Sequence, residues 1–229
     1  MIVLAVLAVA AAPQAPINKG ARAFYFAYGN CIVADQARRA SEAVLGDVDD
    51  TRFLKRYPTF AEGGCVDMRQ GSWGYFSIRA DSVRYSLADA LVRKEFAGSV
   101  MPDFSSLPAL NHGVIPSKPA EVGANGKPVR KDLYEKALAG YRWQYASILW
   151  SKIGECVVRE NPNAAHSLLL SEPDSPAEHG QFERLKPALL KCLPESESMQ
   201  LKEAALRGTI AVNFYRLAKS ATNTMEVAK

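Results

Sequence analysis

One segment of this chain occurs twice. Gly29-Asn30-Cys31-Ile32-Val33-Ala34-Asp35 aligns without a gap on Gly154-Glu155-Cys156-Val157-Val158-Arg159-Glu160. At the same offset Ala40 falls on Ala165, and Ala43-Val44-Leu45 on Leu168-Leu169-Leu170. Phe53 and Pro58 keep the spacing of Phe182 and Pro187, and each pair precedes a cysteine, Cys65 or Cys192. The segments from Arg84 to Arg93 and from Arg207 to Arg216 then match, with hydroxyl, aliphatic and alanine positions in the same order between the arginines. Such self-similarity is the signature of tandem units. It predicts two like units, residues 20–97 and 131–220, within a chain of 229 residues. The intervening 98–130 reads as a linker, since 101–128 holds five prolines and three glycines with little apolar periodicity.

Four cysteines allow three pairings. If each unit is a copy of one ancestral module, each carries its own bridge, Cys31–Cys65 and Cys156–Cys192. No C-x-x-C pair occurs, so zinc and thioredoxin-like chemistry find no support.

Apolar residues recur at helical steps. From 133 to 160 they include Tyr134, Leu138, Tyr141, Tyr145, Ile148, Ile153 and Val157, one expected buried face. Asn161-Pro162 suits a cap followed by the first position of a new helix. Ser175-Pro176-Ala177-Glu178 has the form of a capping box opening a helix that bends or breaks at Pro187 and ends near Cys192. A last helix covers about 199–218. The first unit repeats this with helices near 21–33, 36–45, 51–61 and 81–96. The expectation is an all-α protein of two duplicated four-helix units, each with one internal disulfide joining the ends of its first and third helices. The one strand-like stretch, 71–78, looks more like a loop or hairpin and has no counterpart in the second unit.

Residues 1–12 carry no charged side chain, and an apolar run over 2–9 leads to Ala8-Val9-Ala10. This predicts a secretory signal peptide cleaved near Ala10. An oxidising, periplasmic or extracellular compartment agrees with an even cysteine count. No other stretch is apolar enough to span a membrane. The net charge of +4 is modest and forms no basic stripe, so no nucleic-acid partner is expected.

Residues able to carry chemistry are sparse. The three histidines, His112, His166 and His179, have no metal-ligand spacing and are expected at the surface. There is no G-x-S-x-G, and Gly123 to Pro128 lacks the length and hydroxyl of a phosphate loop. Asp47, Asp49 and Asp50 begin like a calcium loop but lack its glycine and closing glutamate. No metal, cofactor or catalytic group is therefore assigned. Ligand-binding candidates are Arg84 and Arg207, which match across the copies, and Trp73 in a loop special to the first unit. Either arginine, set beside an acid such as Asp81 or Glu203 in a cleft between the units, would suit a hydrolase or lyase. Each arginine held inside its own unit would suit a scaffold. Trp143 and Trp150 form a second stripe that could bury a seam or meet a partner.

The G-x-C-V-V of Gly154 to Val158, the later Cys192, and the L-R-G-x-I-A-x-x-x-Y-R of Leu206 to Arg216 resemble uncharacterised exported, periplasmic helical proteins of Gram-negative bacteria. The resemblance covers most of the second unit and the first more faintly. It implies an envelope setting and carries no activity, so it transfers no functional residue. The expected role is a non-catalytic binding or structural protein of the cell envelope, with another envelope protein as its partner. The alternatives are an enzyme acting on an envelope polymer, or a small-ligand sensor with its pocket behind the Trp73 loop.

Overall fold

Gln36 leaves helical geometry, at φ −131° and ψ 38°, yet the helix that contains it, α1 (Lys19–Leu45), continues on both sides. The sequence predicts two helices here. With neither proline nor glycine at the junction, the amide ladder resumes and the break becomes a kink. The computed structural model describes residues 19–46, 50–62, 65, 80–194 and 202–227. Further elements are α2 (Asp50–Arg56), α3 (Thr59–Glu62), α4 (Ala80–Phe96), α5 (Lys131–Glu160), α6 (Pro162–Leu170), α7 (Pro176–Cys192) and α8 (Glu203–Val227). The protein is all-α, and among the described residues the sole β-type pairing is an isolated bridge between Val122 and Pro128.

Local chemistry sets most of the boundaries. Asn161 accepts a hydrogen bond from the Ala164 N–H and Pro162 opens α6. Ser175 accepts from the Glu178 N–H and Pro176 opens α7. Where the sequence predicts one helix over 51–61, α2 and α3 are separate, because Pro58 has no N–H to continue the ladder. Pro187, expected to bend or break α7, lies within it on an exposed position.

α1 packs on α4, α5 packs on α8 and α7, and α4 packs on α8, so one apolar core runs through the whole assembly. Two glycines permit close crossings of backbone on backbone. A Cβ on Gly29 would collide with the Ser86 carbonyl, and one on Gly154 would meet the Thr209 carbonyl at 2.9 Å. Disulfides Cys31–Cys65 and Cys156–Cys192 form as the repeat predicts, and among the described residues no cysteine is free. No helix among the described residues is long and apolar enough to cross a membrane.

The segment read as a linker is a strap, docked at its start. Phe104 is fully buried, edge-on to Phe214 at 5.7 Å. Arg159 donates to the carbonyls of Phe104, Leu107 and Pro108. Past His112 the strap follows α5 in the opposite direction, and the Tyr134 hydroxyl donates to Glu121 at 3.3 Å. The lengths agree: residues 112–121 extended reach about 30 Å, and α5 from 151 back to 134 spans about 26 Å. No residue of 113–152 is buried. The predicted buried face of α5 therefore starts only at Ile153. Periodicity placed Tyr134, Tyr141 and Tyr145 on one side of the helix but not beneath any cover.

Candidate functional site

Arg84 and Arg207 do not share a cleft. Arg84, on α4, donates to the carbonyls of Val44 (3.0 Å) and Gly46 (2.7 Å), at the C-terminal end of α1. Arg207, on α8, donates to those of Leu169 (3.3 Å) and Ser171 (2.8 Å), at the end of α6. Both guanidinia supply donors where a helix leaves its last carbonyls open, at the negative end of its dipole.

Arg207 does more. Its Nη1 donates to Glu178 at 2.9 Å and its Nη2 to Asp89 at 3.0 Å. Arg22 of α1 reaches the same Glu178 and also Asp174, each at 2.5 Å. Arg93 of α4 reaches Asp89 at 2.7 Å, and its guanidinium lies 4.1 Å from the centre of the Phe26 ring. Three arginines thus face three carboxylates in a largely buried seam where α1 and α4 meet α6, α7 and α8. Glu178 is only 2% exposed, and Arg22 and Arg207 are its ion-pair partners there. Sequence pattern marks Glu178 as a capping residue and gives no sign of its ion pairs. Those partners lie 29 and 156 positions away.

Beside the seam lies a depression of about 360 Å³, lined by Asp174, Ser175, Pro176, Glu178, His179 and Glu203. Glu203, considered as a partner for an arginine, lines it, but Arg207 is buried and directed at other groups. Asp81 accepts the backbone N–H and the hydroxyl of Ser82 in the first turn of α4. Trp73 lies outside the described residues, as do Asp47 and Asp49.

Two histidines expected at the surface are buried. His166 stacks on Phe214 with ring centres 5.4 Å apart, and its Nε2–H donates to the Phe96 carbonyl at 3.0 Å. His112, its side chain 7% exposed, is the clasp between strap and α5. Its Nε2 lies 2.5 Å from Glu155 and its Nδ1 2.8 Å from the Ser151 hydroxyl. Since the carboxylate only accepts, Nε2 carries the hydrogen and Nδ1 accepts from Ser151. Burial pushes the His112 pKa down. The Glu155 carboxylate opposes that shift, and the positive Arg216 and Lys152 add to it. Burial alone would raise Glu155, but the Leu110 N–H, Arg159 and His112 hold it below the ordinary value. Burial also pushes His166 down.

A serine, histidine and glutamate in contact suggest nucleophilic catalysis, and the setting argues against it. Ser151 lies mid-helix in α5, where neighbouring N–H groups serve the helix, so a pair of N–H donors for an oxyanion is not at hand. What the trio does is fasten the strap. Ser151 and Glu155 are one turn apart, but their partner is 39 and 43 positions away, beyond the reach of any local motif.

Among the described residues the one grouping of potential metal ligands is Cys31, Asp35 and Cys65. Both sulfurs are spent in the bridge, which leaves a single carboxylate. No family model matches the chain, and comparison with curated proteins and with solved structures finds no similar one.

Proposed function

We propose that the chain is an exported, non-catalytic binding or structural component of the bacterial cell envelope, built from two copies of one helical module. The observation that carries this reading is the use of Arg84 and Arg207. Residues that would line an active cleft between the copies instead close helix ends in their own halves, and Arg207 is further held by the buried acids Glu178 and Asp89.

The duplication draws support from matched geometry. Gln36 and Asn161, equivalent in the alignment, are both non-helical, at φ −131° and −147°. Gly29 crosses Ser86 as Gly154 crosses Thr209, and Ser86 and Thr209 are themselves aligned. Their hydroxyls bond back to Val83 and Leu206, three residues earlier in each case. The bridges close separations of 34 and 36 residues. Tyr85 and Gly208 are equivalent positions that touch each other, the ring lying where a Cβ on Gly208 would stand. Equivalent residues in mutual contact are what an approximate two-fold axis between α4 and α8 produces.

Export is favoured by the two disulfides, which persist in oxidising compartments, and by the leader pattern of residues 1–12. The test is crosslinking in intact cells, followed by fractionation. The chain is expected in the envelope fraction with a saturable partner. Recovery in the cytoplasm with reduced thiols, or turnover of an envelope polymer lost on changing Glu203 or His179, would overturn the reading.

A further inference from the structure

The strap beyond His112 and the first five turns of α5 form an arm with no buried residue, and only its last two residues, Leu149 and Trp150, pack against the core. Residues 113–150 hold six basic and three acidic side chains, a surplus of three in a chain whose total is +4. The acids are already engaged. Glu121 accepts from Tyr134, Asp132 holds Arg130 at 2.5 Å, and Glu135 lies 3.9 Å from Lys131. Among the described residues, Lys118, Lys127, Lys136 and Arg142 have no such ion pair. The arm also exposes apolar surface: Val114 is 90% exposed, Val122 53%, Leu133 52% and Ile115 46%. Tyr134, Tyr141 and Trp143 are half-exposed along the helical limb.

We infer that this arm docks on an anionic phospholipid surface, with Val122 and Leu133 entering the headgroup layer at its outer end and the unpaired basic residues lying against lipid phosphates. The combination selects that partner. A soluble polyanion satisfies the charges but leaves the valines and leucine wet. A second copy of the arm brings like charges together. An anionic bilayer accepts cations, apolar side chains and half-buried tyrosine or tryptophan rings in one layer. Since no described helix can span a membrane, the arm lies on the surface.

This inference rests on the export reading above, because the surface in question is that of the envelope membrane. The experiment is co-sedimentation of the oxidised chain with vesicles of phosphatidylcholine alone, or with a third of the lipid replaced by phosphatidylglycerol. Binding is expected only with the anionic lipid, weakening as salt is raised. Combining Lys118→Glu, Lys127→Glu and Lys136→Glu is expected to lower affinity about tenfold or more. Val122→Ser with Leu133→Ser is expected to weaken the binding that persists in high salt. None of these positions is buried, so melting temperature is the control; should a variant melt early, the lipid and salt dependence of the unaltered chain decides.

Four results overturn the inference: no binding, equal binding to both vesicles, full competition by soluble glycerol phosphate, or a concentration-dependent dimer that the same substitutions dissolve. A protein partner recovered in cells without vesicle binding removes the lipid surface and leaves the proposed function standing. A cytoplasmic chain that binds vesicles does the reverse.

Discussion

Residues 19–96 and 131–227 each bring an arginine to the carbonyl end of a helix, but the two arginines live in different surroundings. Arg84 meets backbone carbonyls of Val44 and Gly46, whereas Arg207 meets carbonyls and also Asp89 and Glu178. The aligned positions differ most where the halves touch. Tyr85 stands against Gly208, Asp89 corresponds to Val212, and Val92 to Tyr215, whose hydroxyl donates to Glu95 at 3.0 Å. Divergent positions such as Tyr85 and Gly208 meet between the halves, and of the shared ones Arg207 reaches across to Asp89 and Arg93 to Leu169.

Removal of each arginine tests that difference and carries the largest expected effect. Arg207→Leu leaves Asp89 and Glu178 buried without a central partner, a loss of about 3–5 kcal/mol. Arg84→Leu removes, among its contacts, the part-buried hydrogen bonds to the Val44 and Gly46 carbonyls, and about 1–2 kcal/mol is expected. Urea unfolding at neutral pH measures both. Equal losses would break the comparison, because the seam ions would then add nothing to the helix cap.

The disulfides sharpen it from the opposite side, because here the halves should behave alike. Their separations of 34 and 36 residues give, by chain entropy, about 4 kcal/mol each. Replacing Cys31 and Cys65 by serine, or Cys156 and Cys192, is expected to lower stability by the same amount within experimental scatter. A bridge that can be removed without cost points to a half held by its neighbour alone.

How much of this was legible in sequence depends on the distance over which each feature is encoded. Asn161-Pro162 and Ser175-Pro176-Glu178 mark their helix starts because a cap and the amide it binds lie within three residues. The disulfide pairing was legible because the repeat reduced three choices to one. The buried face of α5 was misread over its first five turns, since periodicity says which residues share a side and not whether anything lies against it. His112 and His166 were misread for a related reason: their burial comes from α5 and from α4, contributed by distant sequence. The seam cluster was legible only at Arg207 and Arg93, through their equivalence to Arg84 and Arg216. Glu178 and Asp89 have no repeated counterpart to mark them.

Histidines supply a smaller asymmetry. None occurs in 19–96, whereas the strap and second half contain all three. His112 and His166 are held below their ordinary pKa of 6.5 in the folded chain, chiefly by burial. The unfolded chain therefore takes up protons first as pH falls, so stability is full above pH 6.5 and is lost on acidification through that value. Glu155, held below 4.5, extends the loss at lower pH. Melting temperature is expected to drop between pH 7 and about 5.5, and proteolysis within the strap to quicken, while His112→Gln flattens the strap's response. Faster cleavage in α1 instead would place the acid-sensitive element in the wrong half.

Two glycines in α5 give the finest test, because they lie on one helix and predict opposite signs. Around Gly154 a methyl group meets the Thr209 carbonyl at 2.9 Å and the Asn213 amide at 2.8 Å, so α8 must shift to admit it. Gly154→Ala is expected to cost about 1–3 kcal/mol as overpacking, and Gly29→Ala to behave likewise against Ser86. Gly140 has no neighbour within 4 Å of where a Cβ would stand. There an alanine only restricts the unfolded chain and favours helix, so Gly140→Ala is expected to stabilise by about 0.5–1 kcal/mol. The gain would appear in helix content of the arm and leave the core untouched. If Gly140→Ala destabilises instead, the arm is packed against something in solution, and the packed part of α5 extends back past Ile153.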